Sequence, residues 1–221
     1  MRVKSKLTAL LLCGGRVADY EECKKLLPKY EYVLCADSGA RHLEKLGLKA
    51  NFFMGDFDSV DPDLYKSLKS DKSVEMTEFD PEKDLTDSEI ITQKALKLGC
   101  DTLFYIGAWG TRMDHSMANI MLTGEKAQLG INCVMTDGKN TFYFVKDRIC
   151  FNKDFKGKMI SIIPFTPVVK GVTAKGFYYP LFNKDMYKGS TYGVSNYMTD
   201  DNASIAITGG LAIVGVCSED N

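Results

Sequence analysis

Four aspartates fall within eight positions of one short stretch, F-F-M-G-D-F-D-S-V-D-P-D (52–63), at Asp56, Asp58, Asp61 and Asp63. Carboxylates this close repel one another unless a cation stands between them or the segment is a solvated turn. An apolar run ending in glycine precedes them, so they sit just past a strand. Asp56 and Asp58 alternate, which lets one carboxylate face an ion and the other its bound water; Mg²⁺ is commonly held by one or two carboxylates together with substrate phosphates. A second acidic group lies in K-D-L-T-D-S-E (83–89), where Lys83, Asp84, Thr86 and Asp87 lead into a helix. Asp87 in a first helical turn gains from the helix dipole, and backbone N–H groups there suit a phosphate. The plainer alternative is a helix start capped by Thr86. The third piece is Y-I-G-A-W-G-T-R-M-D-H (105–115). Gly107 and Gly110 would let the backbone approach a ligand, and Arg112 can fork onto phosphate oxygens. Asp114 and His115 open the helix that follows. Trp109, the only tryptophan, reads as a core or rim aromatic before a ring-stacking one.

These pieces need a scaffold that brings distant loops together. Up to about residue 136, short apolar runs (Leu7–Cys13, Tyr32–Ala36, Phe52–Met54, Leu103–Ile106, Ile131–Met135) alternate with helix-like stretches. Strands buried as continuous runs and separated by helices predict a parallel sheet covered on both faces, a Rossmann-like α/β domain over 1–138. From 139 to 221 the texture becomes short β-branched and aromatic segments punctuated by Gly, Pro and Asn-Asp, which predicts a small all-β sandwich domain. In open α/β sheets ligands gather outside the carboxyl ends of the strands. Asp37, Asp56 with Asp58, and Gly107–His115 all follow predicted strands, so one shared site is expected.

The chain of 221 residues is 45% hydrophobic and 26% charged, with net charge −1. No global field draws it to nucleic acid or an anionic membrane, and no stretch approaches the ~20 apolar residues of a membrane span. Leu7–Cys13 is followed by Gly14-Gly15-Arg16 instead of a cleavage site, which favours a first strand over a signal peptide. Seven scattered cysteines without a C-x-x-C pair point to a reducing cytoplasm. The two histidines, His42 and His115, leave little material for a zinc site or a Ser-His pair.

Taken in order, C-A-D-S-G-A-R (35–41), M-G-D-F-D-S (54–59), K-D-L-T-D (83–87) and G-A-W-G-T-R-M-D-H (107–115) resemble the thiamine pyrophosphokinase family. G-F-Y-Y-P-L (176–181) and G-V-S-N-Y (193–197) resemble its thiamine-recognition segments. The resemblance implies Mg²⁺-dependent transfer of pyrophosphate from ATP to the hydroxyl of thiamine, giving thiamine diphosphate and AMP. It also implies a homodimer whose active sites are completed across the subunit interface. Carried over by position, Asp56, Asp58 and Asp87 would hold the metal. Asp37, Lys83, Asp84, Thr86, Gly107, Arg112, Asp114 and His115 would line the nucleotide and phosphate side, with Asp114 or Asp87 as acceptor of the hydroxyl proton. Tyr179 would face the thiamine rings, and Ser195 and Asn196 would address the pyrimidine. Ser38 and Thr111 depart from the family pattern where glycine is common, and Tyr179 replaces the tryptophan of animal members.

Two other readings compete. D-F-D-S-V matches the D-x-D-x-[TV] pattern of haloacid-dehalogenase-type phosphatases, where Asp56 would be the nucleophile and Asp58 the general acid; there the motif usually lies near the first strand. A nucleotide- or thiamine-binding sensor without turnover is the non-enzymatic alternative.

Overall fold

The computed structural model describes residues 6–80 and 84–218. Two compact units divide the chain, one of residues 1–123 with 130–138, the other of residues 124–129 with 139–221.

The first unit is built on six parallel strands: β1 (Thr8–Leu12), β2 (Tyr32–Ala36), β3 (Phe52–Gly55), β4 (Glu75–Glu78), β5 (Thr102–Ile106) and β6 (Asn132–Thr136). Their order is β4-β3-β2-β1-β5-β6, so the chain winds outward one way from β1 and then returns to wind the other way from β5. β1 is buried along its whole length, T-A-L-L-L, as a central strand covered on both faces must be. The helices are α1 (Tyr20–Leu26), α2 (His42–Leu46), α3 (Pro62–Ser70), α4 (Asp87–Lys97) and α5 (Met113–Gln128). Asp61 caps α3 through the N–H groups of Asp63 and Leu64, with Pro62 in its first turn. Thr86 caps α4 through the N–H of Glu89. β4, E-M-T-E, is an edge strand with both ends exposed; it carries no apolar run and pairs with β3 alone.

In the second unit β7 (Asn140–Val145), β13 (Ala212–Cys217) and β9 (Met159–Pro164) pair antiparallel in that order, and β11 (Leu181–Tyr187), β10 (Val168–Lys175), β12 (Ala203–Ala206) and β8 (Arg148–Phe151) form a four-stranded antiparallel sheet. Alternate residues of both, among them Ile160, Ile162, Val214, Val172 and Ile205, share one buried cluster, which is the sandwich core that period-2 patterning predicts. β8 and β11 are too polar to read as strands from sequence; their outward residues are exposed. No described helix is long and apolar enough to cross a membrane.

Candidate active site

The order of the parallel strands reverses between β1 and β5, and a crevice opens there at their carboxyl ends, where doubly wound sheets bind ligands. It is a cleft of about 790 Å³, walled by residues from five separate segments of the first unit. The loop after β1 contributes Gly14, Gly15 and Arg16; the turn after β2 contributes Asp37, Ser38 and Arg41; Asp56 and Ser59 follow β3; Thr86 and Asp87 start α4; Gly107–Arg112 and His115 follow β5.

The acidic side is made by the adjacency of β2 and β3. Gly55 ends β3 against Asp37: a Cβ at Gly55 would lie 2.9 Å from that of Asp37, so only glycine lets the next carboxylate come this close. Asp37, Asp56 and Asp58 then offer oxygens that all lie within 4.8 Å of one another. Phe57, between the last two, has φ +61°, an unfavourable backbone for a bulky residue. Its ring is anchored on Phe53 at 4.5 Å and Tyr65 at 5.5 Å, and that packing holds the turn. Asp37 also has positive φ, at +44°. It is 8% exposed; Ser59 donates to its Oδ2, while its Oδ1 is buried without a hydrogen-bond partner among the described residues. The Asp56 charge raises the carboxyl of Asp58 above the usual range. An orphaned buried carboxylate oxygen and mutual repulsion are the two conditions that a hard divalent cation relieves, so the donor set fits Mg²⁺.

The opposite side is basic and glycine-lined. Gly15 donates its N–H to Gly107 O (2.7 Å) and Arg16 donates to Trp109 O (3.1 Å), stitching the β1 and β5 loops together. The Trp109 indole N–H is held by Asp137 at 2.9 Å, and Asn119 donates to Ala108 O at 2.6 Å. Gly107, with φ +67°, is needed for loop packing: a Cβ there would meet Cys13 O at 2.8 Å and His42 Nε2 at 3.0 Å. Gly110 has room for a Cβ, its nearest neighbour being Arg16 N at 3.4 Å. Arg41 reaches the Gly14 and Gly15 carbonyls at 2.5 and 2.9 Å. Cys13 also lines the cleft, but burial pushes its thiol up to about 11, so it stays protonated and no thiolate nucleophile is available.

His42, beneath this loop, is lowered from its ordinary 6.5 to about 4, first by burial and then by the Arg41 charge. Above about pH 6.5 it is neutral whether the chain is folded or not; as pH falls toward 4 the unfolded chain takes a proton that the folded one refuses. Stability from this residue is therefore full at neutral pH and lost on acidification through that window, by up to about 3 kcal/mol. Urea unfolding at pH 7 and pH 4.5 checks it: the wild-type protein should lose more stability between the two than His42→Gln, and equal losses would contradict the assignment.

The structure brings Asp37, Asp56, Thr86, Asp87, Gly107, Arg112 and His115 to one cleft. Asp58 joins Asp37 and Asp56 at its acidic end. Asp84 instead lines a separate depression of about 350 Å³ with Lys94 and Lys97. Asp114 is exposed and bonded to Arg112 at 2.6 Å, a contact that holds its carboxyl below the usual range; it orients the guanidinium. Lys83 lies outside the described residues. Ser38 and Thr111 are both on the cleft wall. Sequence reasoning did not single out Arg16 and Arg41 as site residues, although C-G-G-R after the first strand marked a loop at the same sheet edge.

In the second unit Tyr179 is 60% exposed. It stands edge-on to Tyr178, centroids 4.8 Å apart, and Tyr178 stacks on Tyr197 at 4.9 Å. Asn196 is 7% exposed and its carboxamide is engaged by backbone: Oδ1 accepts from Tyr179 N (3.1 Å) and Tyr197 N (2.9 Å), and Nδ2 donates to Tyr179 O (2.8 Å). Ser195 has φ +62° and donates its N–H to Ser161 Oγ at 3.1 Å.

A doubly wound sheet whose switch-point cleft sets aspartates against arginines defines the chain as an α/β protein able to seat a polyanion, with carboxylates at hand for a cation. The family profile described as thiamin pyrophosphokinase, catalytic domain, matches residues 23–135, and that of the thiamin pyrophosphokinase vitamin B1 binding domain matches residues 146–212. The chain belongs to the thiamin pyrophosphokinase family. It is 28% identical over 179 residues to the thiamine pyrophosphokinase of Bacillus subtilis, covering 80% of this chain and 83% of that one. Its fold is that of the B. subtilis crystal structure, with a TM-score of 0.85 at 24% identity over 96% of this chain and all of the other. The thiamin pyrophosphokinase of Candida albicans superposes with a TM-score of 0.73 at 16% identity, over 96% of this chain and 90% of that one.

Proposed function

We propose that the protein transfers the pyrophosphoryl group of ATP to the hydroxyl of thiamine, with Mg²⁺, giving thiamine diphosphate and AMP. The observation that carries this reading is the bipolar cleft: Asp37, Asp56 and Asp87 share its wall with Arg16, Arg41 and Arg112. A polyphosphate needs cationic donors on its oxygens, and its metal needs carboxylates.

In the reaction the thiamine hydroxyl oxygen attacks the β-phosphorus in line, the bond from that phosphorus to the bridging oxygen breaks, and AMP leaves with that oxygen. Asp37, Asp56 and Asp58 would hold Mg²⁺, and Asp87, at the start of α4, lines the same cleft. Bound there, Mg²⁺ would supply charge neutralisation on the phosphate oxygens. Arg112, oriented by Asp114, and Arg16 would add charge-assisted donors. The hydroxyl proton goes to Asp87: it lines the cleft, whereas Asp114 is committed to Arg112 and its lowered basicity suits it poorly to accept.

The aminopyrimidine and cationic thiazolium rings call for aromatic faces, and Tyr179, with its exposed neighbour Tyr178, is the seat we assign. Asn196 serves it indirectly by clamping the Tyr179 backbone in both directions. Tyr179→Ala should raise KM for thiamine by about tenfold or more with little change for ATP; equal effects on both would refute the stacking role. The same reading includes a homodimer, which would cover the exposed Met113, Met117 and Met121 of α5 and Phe182 of β11. It also includes a reducing cytoplasm, in keeping with seven free cysteines. Incubation with thiamine, ATP and Mg²⁺ tests the activity: AMP and thiamine diphosphate should appear in equal amounts, and ADP with thiamine monophosphate would overturn the proposal.

A further inference from the structure

Behind the glycine loops that wall the cleft sits a buried polar ring that the reaction above does not use. His42 opens α2 and is 1% exposed. Its Nε2 lies 3.0 Å from Gly15 O, the ring also engages the Cys13 backbone, and a Cβ on Gly107 would meet Nε2 at 3.0 Å. The ring is therefore wedged beneath both glycine loops of the cleft. A carbonyl only accepts, so Nε2 carries the proton, and the Nδ1 lone pair is left to accept the Tyr20 hydroxyl at 2.8 Å. Arg41, the preceding residue, binds the Gly14 and Gly15 carbonyl oxygens. The carbonyls of this turn, which would repel an anion, are thus each engaged by a donor from residues 41–42. Asp37 begins the 3₁₀ turn that Arg41 ends, so one short stretch supplies a carboxylate to the acidic side and the brace of the basic side.

We propose that His42, fixed by Tyr20, is a positioning residue for polyphosphate binding: the Tyr20–His42–Gly15 chain holds the Gly14–Arg16 turn in the shape that receives the nucleotide's phosphates. This rests on the reading of the cleft as the nucleotide seat, but not on turnover. Trp109 is the sole tryptophan and lines the cleft, so its fluorescence follows MgATP binding without catalysis. In His42→Gln the carboxamide N–H can take the place of Nε2–H and keep that donor on Gly15; in His42→Asn the shorter side chain matches Nδ1 and leaves that carbonyl to Arg41 alone.

The expected results are a rise in the MgATP dissociation constant of about tenfold for His42→Asn and no more than about threefold for His42→Gln, the scale of one hydrogen bond. KM for thiamine should stay within about twofold of wild type. Imidazole ¹⁵N shifts should show the Nε2–H tautomer in the wild-type protein, and Tyr20→Phe, which removes the donor to Nδ1, should weaken MgATP binding about threefold. Folded His42→Asn that binds MgATP like wild type would overturn the proposal, as would equal weakening in the Gln and Asn variants. Should His42→Asn not fold, Tyr20→Phe decides: unchanged MgATP affinity in that folded variant is fatal. Saturable MgATP binding by a wild-type protein that makes no thiamine diphosphate would defeat the activity alone; no MgATP binding at all would defeat both.

Discussion

Replacing Asp56 by asparagine should cut thiamine diphosphate synthesis by at least ~10²-fold, the scale on which removal of one preorganised electrostatic partner of a transition state is felt. The substitution keeps the volume and the planar end of the side chain and removes only charge. Asp56 accepts from the Asp58 N–H at 3.3 Å, which the asparagine oxygen can keep, and it stands beside Asp58, whose carboxyl it perturbs by repulsion, and within reach of Asp37. Without divalent cation the variant should melt at the wild-type temperature or slightly above it. Turnover surviving near the normal rate would show that the acidic side of the cleft is a solvated turn, and an inactive variant with a much lower melting temperature would make Asp56 structural.

The second large effect is steric. A Cβ on Gly15 would overlap the backbone oxygens of both Trp109 and Gly107, atoms that cannot turn aside as a flexible side chain can. Gly15→Ala should therefore pry apart the loops after β1 and β5, at an overpacking cost of about 1–3 kcal/mol and an activity loss of about 10²-fold from misplaced phosphate-binding groups. Gly110→Ala is the control. It lies in the facing loop after β5, yet its nearest contact would be an ordinary 3.4 Å, so its activity should remain within about threefold of wild type. Equal damage at both glycines would mean that both loops approach a ligand closely, and that loop-to-loop packing is not what Gly15 provides.

The sheet was legible because its central strands are continuous apolar runs: β1, β2 and β5 are almost wholly buried, and buried runs separated by helical stretches have few other solutions. β4, β8 and β11 escaped notice for the converse reason. E-M-T-E, R-I-C-F and L-F-N-K-D-M-Y expose at least one face, and what makes them strands is the neighbour they pair with. Within the site, Asp56, Asp87 and Arg112 could be nominated from residue type and position after a strand or at a helix start. The pairing of Asp37 with Asp56 follows only once β2 and β3 are known to be adjacent. Contacts such as His42 with Gly15, Arg41 with Gly14 and Trp109 with Asp137 join segments more than 25 residues apart. Each is a single side chain on a loop carbonyl or carboxylate, and no periodicity announces that. Asn196 shows the opposite hazard: an amide in a binding-type motif whose hydrogen bonds go to its own backbone surroundings.

Electron paramagnetic resonance of Mn²⁺, titrated into the protein with a non-hydrolysable ATP analogue, bears most directly on the idea that oxygens from the β2 and β3 turns share a divalent cation. The wild-type chain should take up stoichiometric Mn²⁺, and the double variant Asp37→Asn, Asp56→Asn, folded as judged by circular dichroism, should lose that uptake. Unchanged Mn²⁺ binding in the double variant would contradict the account.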